Sequence, residues 1–264
     1  MRNILLTVSY DGTDFCGYQR QDDVYGNEAN RTVQGEIEKV LFKIHKQKVS
    51  LHGSGRTDSG VHAIAQKANF FSPIDSIPAE KYARVMNSFL PQDIRITDSK
   101  EVEQNFDSRL SATSRIYRYF ISTSHALPAY NSRFVWYVKN YDYNLERLNK
   151  YASFLKGELD CASFAASGDI SVSTCRYIEK ASFFTKKDLF DNELLVFEIE
   201  ANAFLWKMVR TLTGTLINLD KNNAPEDAML KILEAKDRTK AGVTAPPNGL
   251  FLYDIKFDGI RRHI

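Results

Sequence analysis

The apolar residues of this chain change period several times, and the order of those changes restricts it to one broad architecture. Ile4, Leu6, Val8 and Tyr10 fall on alternate positions, the pattern of a strand. From Val33 the spacing becomes helical through Ile37, Val40, Leu41 and Ile44, with Thr32 placed as the N-cap and Lys39, Lys43 and Lys46 outward. A strand ending at Asn69-Phe70-Phe71 follows. Ser76 and Pro78 then open a helix carrying Tyr82, Val85, Met86 and Phe89, Pro91 stops it, and Ile94 with Ile96 begins a further strand. The first hundred residues read β-α-β-α-β.

The remainder has a similar rhythm. Arg115 to Ser122 alternates as a strand, and Leu145, Leu148, Ala152 and Leu155 mark a helix closed by Gly157. Tyr177 to Phe184 and Leu194 to Glu200 form a hairpin, and Leu205, Val209, Leu212 and Leu216 a helix. Lys207, Arg210 and Gly214 lie off the apolar stripe of that helix. Asn223 with Glu226 predicts a capping box for a short helix, and Phe251 to Phe257 a closing strand. Strands and helices mixed without strict alternation predict an α+β fold. Two similar α/β subdomains, residues 1–105 and 106–264, are expected to share a continuous, mainly antiparallel sheet with helices packed on it. The default place for an active-site cleft is their junction.

With 264 residues and 43% hydrophobic content the chain can bury a sizeable core. Its net charge is only +2, so binding to nucleic acid requires local concentrations of basic residues. Cys16, Cys161 and Cys175 form no short metal-ligand pair, and their odd number argues against a disulfide framework. The N-terminus turns polar too early for a signal peptide and no run approaches a membrane span. A cytoplasmic protein with no membrane partner is expected.

The chemistry concentrates in Gly53-Ser54-Gly55-Arg56-Thr57-Asp58-Ser59-Gly60-Val61 and the adjoining His62. A turn in which Asp58 caps and pairs with Arg56 is one reading. Metal binding by His52, His62 and Asp58 lacks zinc-site spacing, and the glycines lack the Gly-Lys-Ser/Thr of a phosphate loop. An Asp beside an Arg also suits a nucleophile, because a neighbouring cation favours and steers the carboxylate. Its electrophile would be a carbon such as a sugar C1′ or a pyrimidine ring atom. Arg115, Tyr117 and Tyr119 share one strand face, so the same residues read either as a Tyr-rich sheet strand or as a charged aromatic platform for a base.

Gly55-Arg56-Thr57-Asp58-Ser59-Gly60-Val61-His62 resembles the signature of the tRNA pseudouridine synthase A family. Further blocks resemble that family in the same order: Tyr10-Asp11-Gly12-Thr13 with Phe15, Gly17 and Gln19; Arg31-Thr32-Val33-Gln34; Asn87 to Ile94; Phe106-Asp107-Ser108-Arg109; Arg115-x-Tyr117-x-Tyr119; and Ala201-Asn202-Ala203-Phe204 with Met208-Val209-Arg210. The resemblance implies isomerisation of uridine to pseudouridine at roughly positions 38 to 40 of the tRNA anticodon stem-loop, by a homodimer using no metal or organic cofactor. It implies Asp58 as nucleophile on a flipped-out base. Tyr117 would pack on that base and take part in removing the C5 proton, Arg210 would pair with Asp58, Arg56 would assist flipping and Arg109 would contact phosphate. Tyr18 stands where the family commonly has Trp, Ser59 where Ala is common, and Gln21 to Asn30 is longer than usual. The competing readings are a stem-loop-binding module without catalysis and a metal-dependent nuclease using Asp58, His52 and His62.

Overall fold

The computed structural model describes residues 1–22 and 30–262. Residues 23–29, the middle of the loop expected from Gln21 to Asn30, lie outside that set. Along the chain the elements are β1 (Arg2–Tyr10), α1 (Val33–His45), β2 (His52–Gly53), β3 (His62–Ser72), α2 (Tyr82–Asn87), β4 (Ile94–Val102), β5 (Ser114–Ser122), β6 (Trp136–Tyr137), α3 (Leu145–Ser153), β7 (Gly157–Asp160), β8 (Cys175–Lys187), β9 (Glu193–Ala201), α4 (Met208–Lys221), α5 (Ala228–Ala235) and β10 (Leu250–Lys256). The mixed α/β class and the mainly antiparallel pairing are those the periodicity predicts. Two compact units divide the chain, Met1–Thr113 with Phe251–Asp258, and Ser114–Leu250 with Gly259–Ile264. Sequence reasoning places one break after residue 105 and does not foresee the return of residues 251–258.

In the first unit the strand order is β4-β1-β3-β10, with β2 on β3. β1 lies antiparallel to both neighbours, Ile4 opposite Phe70 on β3, whereas β10 runs parallel to β3 with Phe251 beside His62. Leu5 is buried along with Ile4, Leu6 and Val8, so both faces of β1 are covered. Thr32 Oγ1 accepts from Gly35 N at 3.2 Å and caps α1. Val33, Ile37 and Leu41 on that helix are fully buried, a contribution of about 1.5–3 kcal/mol each. Its last buried residue is His45, and Ile44 is only half-buried.

The helix expected to reach Phe89 is shorter. A 3-10 turn at Ala79–Lys81 leads into α2, which ends at Asn87 and leaves Phe89 exposed under the Lys43 ammonium. The Asn87 side chain explains the early end. Its Nδ2 donates to Ile96 O and its Oδ1 accepts from Ile96 N, both at 2.8 Å, so the amide satisfies β4 as a neighbouring strand would.

In the second unit the order is β5-β9-β8-β7, with β6 parallel to β5. One face carries an ionic cluster: Arg118 Nε lies 2.6 Å and Lys180 Nζ 2.7 Å from the two oxygens of Glu198. α4 begins at Met208 rather than Leu205, because Lys207 takes a left-handed conformation at φ 59°. The stripe holding Arg210 and Gly214 faces the segment 242–245. Arg210 Nε donates to Ala245 O at 2.8 Å, Ala245 N donates to Arg210 O at 3.1 Å, and Gly242 N donates to Thr215 Oγ1 at 2.9 Å. A Cβ on Gly214 would stand 1.9 Å from Val243 O, so this close approach requires glycine.

Two capping expectations need correction. Asn223 sits at φ 47°, α5 starts at Ala228 without a side-chain cap, and Glu226 pairs with Lys150 at 3.6 Å instead. Gly157 lies beyond the end of α3 and opens β7. A cavity of about 850 Å³ is lined by Tyr141, Tyr143, Arg147, Asp220 and Lys221 among others, and by none of the candidate site residues. Its buried acid, Asp220, accepts from Arg147 Nε at 2.6 Å and from the hydroxyl of Tyr141, which ties the start of α3 to the end of α4.

Candidate active site

The Asp58 loop joins β2 to β3 and is held along most of its length by residues 10–18 of the same unit. The hydroxyls of Tyr10 and Thr57 are 2.8 Å apart, and Thr57 O accepts from Tyr18 N at 3.1 Å. Phe15 O receives Gly60 N at 3.3 Å and Ser59 Oγ at 3.1 Å, while Asp58 O takes Val61 N at 3.1 Å in a tight turn. At the loop's other end Gln66 Nε2 donates to Gly55 O at 2.6 Å and Ser54 N to Lys67 O at 2.8 Å. Asp58 is half-buried between Thr57, which is buried, and Ser59, which is exposed. A carboxylate on so many backbone tethers loses little orientational freedom when a reactant arrives.

Gly12 shows how closely the two segments meet. A Cβ there would lie 2.0 Å from Val61 O, so only glycine lets residues 11–15 reach the loop. Gly55 has open space around it, and Gly12 serves packing of protein on protein.

His62 is fully buried and stacks on Phe251 at 4.6 Å. Its Nδ1 accepts from Gly12 N at 2.9 Å, so its 3.2 Å contact with Asp11 Oδ1 is not an ion pair in this state. Tyr18 is buried with no partner for its hydroxyl among the described residues, and burial pushes its phenol well above the usual range. Arg56 is exposed beside Asp58. Arg109 is exposed in a turn whose Asp107 Oδ1 accepts from the backbone of Arg109 and Leu110, both at 2.8 Å. The next-door Ser108 Oγ bonds His52 O at 2.5 Å, fixing that turn to the strand that launches the Asp58 loop. Among the described residues no three His, Cys, Asp or Glu side chains form a group able to hold a metal ion.

In the second unit Tyr117 and Arg210 occupy β5 and α4. Tyr117 is 8% exposed and meets Phe204 edge to face at 5.1 Å. Tyr119, expected to present a ring alongside it, is instead core. It is fully buried, packs edge-on to Trp136 at 5.9 Å and donates its hydroxyl to Pro246 O. Burial raises its phenol pKa strongly, and the charge of Arg210 opposes that shift. Arg115 Nη1 reaches Asn202 O at 2.7 Å. Both tyrosines of this face are therefore buried, Tyr117 at its margin and Tyr119 completely. Phe204 was visible in the sequence only as part of a motif; an aromatic placed just past a strand end, where the chain turns into a helix, is the signal that marks it.

A family model described as tRNA pseudouridine synthase matches residues 6–110 and 152–258. The tRNA pseudouridine synthase A of Treponema denticola is 51% identical over 256 residues, covering 97% of this chain and 93% of that protein. Its counterpart in Treponema pallidum is 47% identical over 249 residues, covering 94% and 85%, and that of Brachyspira hyodysenteriae 39% identical over 251 residues, covering 95% and 96%.

Proposed function

Because the chain belongs to the tRNA pseudouridine synthase family, we propose that it isomerises uridine to pseudouridine in the anticodon stem-loop of tRNA, with Asp58 as the nucleophile. The relatives bear the name of that activity over nearly their whole length. The observation that carries the assignment of Asp58 is the tethering of its loop, in which the flanking residues Thr57, Ser59 and Gly60 are all bonded to residues 10–18.

The reaction breaks the bond from N1 to C1′ and forms one from C5 to C1′. C5 loses a proton, N1 gains one, and no oxidant or reductant is consumed. Asp58 drives the cleavage while the base, flipped from the loop, turns and rejoins through C5. Tyr117, held edge to face against Phe204, packs on the base and takes part in removing the C5 proton. Arg56 assists flipping, Arg210 supplies the charge opposite Asp58, and Arg109 holds phosphate, contacts that position rather than specify. The working form is a homodimer in the cytoplasm, which would bring two local basic surfaces to one tRNA despite the net charge of +2. Among the described residues no helix is long and apolar enough to cross a membrane.

Tritium release from tRNA carrying [5-³H]uridine tests this reading. Steady release by the parent and none by Asp58→Ala is the expected result. Release by Asp58→Ala at the parental rate would overturn the role of Asp58, and none by the parent would overturn the activity.

A further inference from the structure

Trp206 is 46% exposed, yet its backbone is fixed on both sides. Its N–H donates to Asp169 Oδ2 at 2.5 Å, its carbonyl accepts from Ala166 N at 3.2 Å, and Gly168 lies against its ring, where a Cβ would be 3.8 Å from Cζ3. Lys207, at φ 59°, holds its ammonium 4.4 Å from the ring centroid. The neighbours in sequence tie this ring to residues already described. Phe204 meets Tyr117 at 5.1 Å, and Arg210 follows Lys207 by one turn of α4.

We infer that Trp206 is a stacking platform for an unpaired RNA base beside the target uridine, and that Lys207 leaves the ring for the RNA phosphate when that base arrives. The inference rests on the RNA-modifying reading above. A nucleotide presents a π face and an adjacent negative charge, the two features that an exposed indole and the ammonium beside it satisfy together. Stacking of a base on an aromatic side chain is stronger than an exposed cation–π contact, so exchange of one for the other is favourable. The turn also leaves the platform little freedom to lose on binding.

The chain has two tryptophans, Trp136 and Trp206, so a protein carrying Trp136→Phe and Asp58→Asn has Trp206 as its one indole and binds RNA without turnover. Titration with an anticodon stem-loop RNA is expected to quench its emission and to saturate. In tritium-release assays with Asp58 intact, Trp206→Ala is expected to raise KM about tenfold with kcat changed by less than about twofold, and Trp206→Phe to recover most of the loss. Emission that does not move while filter retention shows the RNA bound, or a parental KM for a folded Trp206→Ala, would overturn the platform and leave the activity standing. Absence of turnover in the parent would instead overturn the activity, and the platform with it.

Discussion

The hydroxyl of Tyr10 stands 2.8 Å from that of Thr57, the residue immediately before Asp58, and both are buried. Tyr10→Phe leaves Thr57 Oγ1 without this partner in a place water does not reach, a cost of about 1–3 kcal/mol. Because the bond also aims the next residue, kcat is expected to fall about tenfold with KM little changed. Denaturant titration and tritium-release kinetics check the two halves. A stability loss with full kcat would show that the bond supports the fold alone.

The same substitution eight residues later is expected to have the opposite sign. Tyr18 carries a buried hydroxyl with no partner among the described residues. Tyr18→Phe removes the cost of keeping that group dry and is expected to be neutral or to stabilise by up to about 1 kcal/mol. Thermal unfolding of the two variants side by side provides the comparison.

Gly12→Ala would place a methyl group 2.0 Å from Val61 O, where backbone must move to admit it. Overpacking of this kind costs about 1–3 kcal/mol, and here the displaced backbone is the Asp58 loop itself. Both the denaturation midpoint and kcat are expected to drop; an unaltered kcat would mean that the loop absorbs the shift elsewhere.

His45, 7% exposed between Phe70 and Tyr82, has no partner for either ring nitrogen among the described residues. Burial holds its pKa below the ordinary 6.5. The unfolded chain therefore binds the proton first, and the stability present above pH 6.5 is lost as the pH falls from there through the folded-state pKa. His45→Phe is expected to flatten that part of the curve of stability against pH, measured by urea unfolding at several pH values. A slope identical to the parent's would assign the acid sensitivity to other groups.

Asp220→Ala should separate architecture from chemistry. It leaves the Arg147 guanidinium without its partner and the buried Tyr141 hydroxyl without its acceptor, the latter at a cost of about 1–3 kcal/mol. A lower melting temperature is expected, with KM and kcat near parental values at a temperature where the variant is folded. A large rise in KM would instead make the cavity around Tyr141 part of the RNA surface.

The long elements were legible because their apolar periods run for two turns or more, as in α1 and β1. The pairs and quartets of residues in β2, β6 and β7 are too short to show a period, and they exist because longer strands offer an edge. Asn223 and Glu226 have the spacing of a capping box, but Asn223 turns left-handed and Glu226 finds Lys150. Around the candidate site, the glycine-rich loop carrying Asp58 ahead of a strand was legible from its motif. The burial of Tyr119 was not, because alternation says which residues share a face and not how deeply each is covered. Nor does local sequence reveal that Gly12 meets Val61, a contact made across some fifty residues.

Phe251 stacks on His62, and β10 pairs alongside the residues that leave the Asp58 loop. During synthesis the ribosome makes that loop about 190 residues before it makes the ring that backs it, so a nascent chain cannot finish its first unit as it emerges. During synthesis the loop gains this backing only after residue 251 is made, and a chain cut short before it would be left without this support.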